Sequence, residues 1–326
     1  MNSPVVGDYR DRSTGLTVFG VLEILFGALC WLLVPLAAIG MVASARRAGT
    51  PVSPQMLAPA LGFYGGAGTV CIWLGIGSIL ARRWARALWV CLSGFGLATG
   101  VLATPLMVYV AFVHLPRTMA TVSSTPPPAV AMFVAQAVTV AMMVLFYLVI
   151  PGVLFWFYTR PDVKRTCAAR DPRERWTDRC PLPVLTLSLM SALGGVFMAL
   201  VSPFFRAFPF FGVFLSGVGA VLLMLAWAAL ALWVAWGLYR LWMAAWWVWL
   251  ATLVFMAVSS TLTMWHADIA VLYAQMGMQP EVVVRASELG RTATLWGMLC
   301  LVPWLAWGLY VRRFFPKPAP AAISGA

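Results

Sequence analysis

The chain has 326 residues, of which 62% are hydrophobic and only 10% are charged, whereas a soluble domain is nearer a quarter charged. Because such a small number of charged residues could not solvate the surfaces of two globular domains, the composition predicts a multi-pass membrane protein. The net charge of +12 does not indicate nucleic-acid binding, because the basic residues stand in small groups at the ends of apolar runs. Orientation in the membrane explains them better, with the anionic headgroups of the lipid bilayer as the partner.

Apolar segments dominate the chain, and arginines mark where it turns. Between Leu61 and Val113 the only charged residues are Arg82, Arg83 and Arg86. A single helix over this stretch would run roughly 80 Å, against a hydrocarbon core of roughly 30 Å, so the chain must turn back at the arginines. The same reasoning along the chain predicts an all-α, polytopic bundle with eight spans: 15–42, 56–81, 84–113, 129–158, 184–205, 210–239, 241–265 and 292–313.

The segments between the spans divide the chain further. The most polar of them, 159–183, has seven basic and four acidic residues, and we expect a solvated loop with a short amphipathic helix on the membrane surface. Arg206 is expected to mark a short turn between spans five and six. The predicted organisation is a polar leader (1–13), a first four-helix repeat (14–158), a cytoplasmic linker loop (159–183), a second four-helix repeat (184–313) and a disordered tail (314–326).

Basic residues are distributed unevenly between the two sides of the membrane. With eight spans both termini lie on one side, which has 16 Lys and Arg residues, and the other side has 6. Leaving out the long central loop, the asymmetry is still 9 to 6. The positive-inside rule therefore predicts a bacterial inner-membrane protein with both termini in the cytoplasm. Arginine and tryptophan at the two sharp turns are the predicted topology anchors: Arg82, Arg83, Arg86, Trp84, Arg240 and Trp242.

The two halves of the chain match each other with small changes of offset. Each half would have four spans, so the two halves enter the membrane from the same side, and an axis along the membrane normal relates them as parallel repeats. The sequence therefore predicts a duplication with loop insertions. Its matched pairs include Gly27–Gly195, Pro35–Pro203, Arg82–Arg240, Trp84–Trp242, His114–His266, Pro151–Pro303 and Tyr158–Tyr310.

The tight turn Arg82-Arg83-Trp84-Ala85-Arg86 resembles turns in small multi-pass bacterial membrane proteins of no known function. The resemblance is confined to the residues around this turn. It implies an arginine-rich Trp-Ala-Arg turn on the cytoplasmic side and brings no chemistry with it.

Glu23 is the one acidic residue inside a predicted span, roughly 12 Å along the helix. A carboxylate in hydrocarbon is costly, so an intramembrane acid is a functional candidate. One interpretation is a proton or cation site that faces the bundle interior beside the polar face of span seven. The other is a shallower position in which Glu23 pairs with Arg82 or Arg83.

Other polar residues give fewer indications of chemistry. Ser259, Ser260 and Thr263 in span seven either line a path with Glu23 or bond to helix backbone. The histidines His114 and His266 are equivalent under the duplication and form a candidate interfacial pair, for which we expect separated rings and no metal. The six cysteines lack zinc spacing and are expected as free or buried thiols, so no cofactor is predicted.

Small residues four apart in the spans predict close helix contacts. They occur in span two, span three and span six, at Gly62/Gly66, Gly96/Gly100 and Gly212/Ser216/Ala220.

Three classes of function remain open. The scarcity of polar residues in the spans favours a non-enzymatic accessory, sensing or scaffolding bundle, with a membrane protein or a second copy as a possible partner. The duplication and Glu23 favour the alternative, a transporter or channel built around a central path. A membrane-embedded enzyme is disfavoured, because intramembrane chemistry needs clustered polar groups. In addition, the sequence matches no phosphate loop, metalloprotease helix or nucleophile elbow.

Overall fold

The structure is a computed structural model that describes residues 10–48, 54–114, 128–204, 207–266 and 301–316, and most of these residues are helical. Seven helices in this part of the chain are long and apolar enough to cross a membrane. The expectation of a multi-pass helical membrane protein is thereby confirmed. Of the predicted eighth span only the part from residue 301 is described, and most of the leader and of the tail lie outside the described residues.

The chain divides into two compact units, Met1–Leu182 and Pro183–Ala326. In the first unit the short helix expected on the polar segment is present, and a 3₁₀ turn, Trp176–Asp178, follows it. The helices of this unit are α1 (Ser13–Ala48), α2 (Pro54–Ile79), α3 (Arg83–Tyr109), α4 (Ala129–Val144), α5 (Ile150–Thr159) and α6 (Pro161–Arg170).

Glycine allows α1 and α2 to pack with their backbones in contact. A Cβ atom added at Gly20 would lie 2.7 Å from the carbonyl oxygen of Gly75, and one at Gly27 would lie 2.7 Å from that of Gly68. Small residues permit this close approach between membrane helices, where dispersion contacts replace the hydrophobic effect. At Gly62 and Gly66 an added Cβ atom would meet nothing within 4 Å among the described residues, so the contact predicted there remains a prediction.

The fourth span is one continuous helical path through α4 and α5, with a π-helical turn, Leu145–Val149, between them. The π-helical turn ends two residues before Pro151. Proline has no N–H, and its ring crowds the carbonyl group four residues earlier. That carbonyl, of Tyr147, lies against Gly100 of α3, where any Cβ atom would clash with it. The close contact predicted for Gly96/Gly100 is therefore present, and its partner is the fourth span.

The second unit differs from the sequence prediction between its first two helices. Residues 210–216, predicted as the start of span six, belong to a two-stranded antiparallel hairpin in which Phe210 pairs with Val213. Arg206, at which the sequence predicts a short turn, lies outside the described residues. The elements of this unit are α7 (Leu182–Val201), β1 (Ala207–Phe210), β2 (Val213–Ser216), α8 (Gly217–Tyr239), α9 (Met243–His266) and α10 (301–312).

The hairpin closes through a two-residue turn, Phe211-Gly212, in which both residues have positive φ (41° and 94°). Two positive φ values are typical of the type I′ turn, whose twist suits a hairpin. Phe208 on β1 is buried in a small core with Val201 and Met224. The aromatic run around Pro209 therefore folds back on the helices instead of starting span six, and Gly212 and Ser216 are hairpin residues.

The two sharp turns between helices share an uncommon geometry. Ala81 after α2 has φ 50° and Leu241 after α8 has φ 59°, in the left-handed region that favours glycine. Around each, the following residue donates its N–H to a glycine carbonyl five residues earlier: Arg82 to Gly77 (2.9 Å) and Trp242 to Gly237 (2.8 Å). This is the Schellman pattern of helix ends. The geometry pairs Arg82 with Trp242, so the sequence match of Arg82 with Arg240 is out of register.

Candidate functional site

Glu23 is buried in the first unit, with only 5% of its surface exposed. It lies on α1 roughly 15 Å along the axis from Ser13, at 1.5 Å per residue. Phe19, one turn before it, stacks on Phe157 with ring centroids 4.2 Å apart, which covers the side of the site nearer the helix start. A carboxyl group at this position is thus enclosed by protein inside a membrane-spanning helix.

A chain of hydrogen bonds leads away from Glu23. The Tyr158 hydroxyl, at the end of α5, donates to Glu23 Oε1 at 2.7 Å. The Ser78 hydroxyl of α2 lies 2.7 Å from the same phenolic oxygen. Because Tyr158 has one hydroxyl hydrogen and gives it to Glu23, Ser78 is the donor in this pair. Three helices therefore contribute to one buried polar cluster, Glu23–Tyr158–Ser78.

Trp89 of α3 forms a wall of this cluster. Its ring lies nearly parallel to that of Tyr158, with centroids 6.1 Å apart. Two buried polar atoms here have no hydrogen-bond partner among the described residues: Glu23 Oε2 and the indole Nε1 of Trp89. Buried polar atoms are nearly always paired, so unpaired ones in one cluster point to a site with a function.

The arginines at the turn have other partners. Asp171, which is 2% exposed, lies 3.8 Å from Arg82 and is held by Arg175 at 2.7 Å. It also accepts the backbone N–H of Arg83 at the start of α3. The hydrogen bonds from Arg175 lower the pKa of Asp171, and the N–H and charge at the helix start act in the same direction. Asp178 pairs with the Arg83 side chain at 3.3 Å. No ion pair joins Glu23 to an arginine within the described residues.

Helix α6 lies over the start of α1 as well. Arg12 donates its backbone N–H to the Thr166 hydroxyl at 3.1 Å, and its side chain lies 3.8 Å from Asp162. Arg170 lies 3.4 Å from Asp11. The polar segment thus packs on the end of the first unit at which α1 begins, which is the end nearer Glu23. We name α6 together with the residues up to Leu182 the polar cap.

The polar residues of span seven have a structural use. Ser259 accepts the N–H of Phe211 at 3.2 Å and donates to the carbonyl of Pro209 at 3.1 Å. Thr263 accepts the N–H of Gly212 at 3.1 Å. Both side chains are fully buried and satisfy backbone groups of the hairpin turn. Their bonds lie in the second unit and those of Glu23 in the first, so the expected association of Glu23 with span seven remains a prediction.

The other predicted residues show no catalytic geometry. The exposed His266 has its Nδ1 atom 3.0 Å from the Leu262 carbonyl of its own helix, and the side chain of His114 lies outside the description. Ser260 is half-buried on α9. Arg240 lies over the Trp236 ring at 4.9 Å, and Trp84 stacks on Trp73 with centroids 4.4 Å apart. Trp242 is half-exposed.

Sequence reasoning found Glu23 and missed its partners. Tyr158 served only as a repeat match, and neither Ser78 nor Trp89 was predicted to lie beside Glu23. Hydroxyls in otherwise apolar spans were the available signal, but such hydroxyls commonly bond to their own helix, as Thr69 does to the Gly65 carbonyl. Only packing shows which of them meet the carboxyl group.

Comparisons with known proteins do not assign this site. Searches against family models, curated proteins and solved structures gave no match. The function proposed below therefore rests on the geometry of the chain.

Proposed function

We propose that the protein is a membrane transporter of protons or small cations in which Glu23 is the intramembrane binding group. One observation carries this proposal: the Glu23 carboxyl group is buried inside a span and bonded to Tyr158, with no arginine among its partners in the described residues. A neutralising arginine would indicate a fixed structural ion pair. A carboxyl group bonded to hydroxyls can instead gain and lose a proton.

The hydroxyl chain supplies a route for the proton. With Glu23 ionised, Ser78 donates to Tyr158 and Tyr158 donates to Glu23 Oε1. When a proton arrives on Glu23, the same chain can reverse its direction, because each hydroxyl both donates and accepts. Ser78 lies one helical turn before Arg82, so the chain leads from the buried carboxyl towards the end of the unit that the polar cap covers.

We also propose that the bundle has eight spans in two four-helix repeats. Two contacts support this in addition to the shared turn geometry. In the second unit, a Cβ atom at Gly195 would lie 3.0 Å from the Ala228 carbonyl, and the Ser188 hydroxyl donates to the Ala235 carbonyl at 2.7 Å. With Gly27 matched to Gly195 and the two turns aligned on their positive-φ residues, these contacts correspond to the glycine contacts between α1 and α2. Helix α10 would be the end of the eighth span.

The distribution of basic residues supports the orientation. We propose a bacterial inner-membrane protein with both termini and the polar cap on the cytoplasmic side, because 16 of the 22 Lys and Arg residues lie there in an eight-span topology. Anionic headgroups would contact the arginine turns, with Arg82, Arg83, Arg86 and Arg240 as anchors beside Trp84 and Trp242.

A second candidate is an accessory, sensing or scaffolding bundle, alone or with a membrane protein partner or a second copy. The observation that favours it is the asymmetry between the units. The positions matched to Glu23 and Ser78 are Ser191 and Leu238, and the Ser191 hydroxyl bonds to the Leu187 carbonyl of its own helix. Among the described residues the acidic cluster therefore occurs in the first unit alone, and in the second unit Ser259 and Thr263 bind the hairpin.

The test replaces Glu23 by Gln in the full chain reconstituted in vesicles with a pH gradient and a pH-sensitive dye inside. We expect E23Q to abolish pH-dependent flux, because the amide keeps the shape of the carboxyl group but holds no exchangeable acid proton. Y158F should reduce the flux at least tenfold by breaking the hydroxyl chain. E174Q is the matched control, since Glu174 is an exposed carboxylate of the polar cap.

Infrared difference spectroscopy on the same samples separates the two candidates. A protonated-carboxyl band that titrates in the wild type and is missing in E23Q would show proton binding at Glu23. If the wild type shows this band but the flux is equal in the wild type and E23Q, the result would favour sensing over transport. If the band is unchanged in E23Q, Glu23 is not the proton site and the proposal fails.

A further inference from the structure

A cavity of about 180 Å³ lies in the first unit between the start of α3 and the polar cap. Its walls include three basic side chains, Arg83, Arg86 and Lys164, and one acidic side chain, Asp178. It lies apart from the Glu23 cluster, none of whose residues lines it. The proposed transport role does not use it.

The charges in this cavity are unbalanced. Asp178 is neutralised locally, because it pairs with Arg83 at 3.3 Å and also accepts the backbone N–H of Arg175 at 2.9 Å. Within the described residues no ion pair involves Arg86 or Lys164. The cavity therefore has an excess of positive charge, which an anion would compensate.

Two buried polar atoms at the cavity have no hydrogen-bond partner among the described residues. They are the hydroxyl oxygen of Thr177, a residue only 2% exposed, and Nε of Arg86. Leaving a buried donor unpaired is unfavourable, and more so for a charged group. The Thr177 hydroxyl, the Arg86 guanidinium and the Lys164 ammonium group are donors of the kind that hold phosphate oxygens.

The thiols in the wall do not oppose an anion. Cys167 and Cys180 both line the cavity. Burial raises the pKa of the Cys167 thiol to about 11 and that of the Cys180 thiol to about 12. Both are therefore neutral at physiological pH, and among the described residues of the wall the only acidic side chain is the paired Asp178.

We propose that this cavity binds a phosphate group, and that the phosphate belongs to the headgroup of an anionic phospholipid. Arg86, Lys164 and the Thr177 hydroxyl would hold the phosphate oxygens. Arg86 lies on a membrane-spanning helix, one turn after Arg82, so the cavity is next to the headgroup layer. Basic pockets beside membrane helices are the usual sites for anionic headgroups. Free inorganic phosphate has the same binding chemistry, and the experiment distinguishes the two sources.

The first measurement is native mass spectrometry of the full chain in detergent with phosphatidylglycerol or phosphatidylcholine added. We expect preferential binding of phosphatidylglycerol, reduced roughly tenfold in R86Q and in T177V, as expected for losing a charge-assisted or buried hydrogen bond. R173Q is the matched control, because Arg173 is an exposed arginine of the polar cap outside the cavity wall. Equal binding of the two lipids, or wild-type affinity in both variants, would overturn the proposal.

The second measurement uses the wild type, so it does not depend on the folding of a variant. At alkaline pH, where part of each thiol is ionised, Cys167 and Cys180 should react with a small thiol reagent in the lipid-free protein and more slowly when phosphatidylglycerol is bound, as followed by peptide mass spectrometry. Protection by inorganic phosphate in the absence of lipid would instead place a free anion in the cavity and overturn the lipid assignment. Reaction at the lipid-free rate in the presence of either ligand would exclude an anion from the cavity altogether.

Discussion

At the scale of single residues, two buried acidic side chains of the first unit, Asp171 and Glu23, differ in the groups that surround them. Asp171 is buried but surrounded by donors from Arg175 and Arg83, so its charge is stabilised where it lies. Glu23 is buried among hydroxyls and an indole, and no cation of the described part of the chain pairs with it. The first arrangement makes a structural anchor for the start of α3, and the second is the one we propose for a group that exchanges a proton.

The anchor at Asp171 can be tested by substitution. We expect D171N to lower the free energy of unfolding by about 2–3 kcal/mol, because hydrogen bonds to charged groups at a buried site are lost. Thermal unfolding in detergent, followed by circular dichroism, measures this. D162N is the control, because Asp162 is about a third exposed and lies 3.8 Å from Arg12, so its loss should change stability by less than about 1 kcal/mol. Similar effects in the two variants would contradict the assigned role.

The same residue predicts a dependence on pH. The pKa of Asp171 is lowered from its ordinary value of 3.8, so its contribution to stability is fully present above that value. It is lost as the pH falls through the lower pKa of the folded state. D171N should therefore show a flatter loss of stability below about pH 4 than the wild type.

At the scale of elements, contacts between helices depend on where glycine meets a backbone. The α1–α2 pair uses Gly20 and Gly27 on one helix against Gly75 and Gly68 on the other. The spacing along each helix is seven residues, close to two turns, which keeps both contacts on one face. Gly62, earlier in α2, lies outside this contact face.

This difference predicts unequal effects of the same substitution. G27A should destabilise the first unit by about 1–3 kcal/mol, because the added Cβ meets the backbone carbonyl of Gly68 and cannot move it easily. G62A should leave stability unchanged or raise it by up to about 1 kcal/mol, since alanine is the better helix former. Thermal unfolding of the two variants side by side gives the comparison. A larger loss in G62A would contradict the observed packing.

At the scale of the whole molecule, the proposed topology depends on an even number of crossings. Cysteine substitution at three exposed charged residues can test the topology: Glu174 in the polar cap, Arg240 at the second sharp turn, and Arg46 near the far end of α1. We expect cysteine at Arg46 to react with a membrane-impermeant maleimide in spheroplasts. Cysteines at Glu174 and Arg240 should react only after lysis. Reaction of the Arg240 position from outside, with Glu174 protected, would exclude the eight-span arrangement.

The sequence by itself determined that this is a multi-pass helical membrane protein, because hydrocarbon thickness and helix rise set the span length whatever the packing. It also identified Glu23, since an acid in an apolar run is visible without a structure. The tertiary structure decided what Glu23 contacts, because Tyr158, Ser78 and Trp89 come from three other helices. It also decided the hairpin, where an aromatic run that looks like a span has its backbone groups satisfied by Ser259 and Thr263. Local composition measures apolarity, and only the packed chain shows which polar atoms have partners.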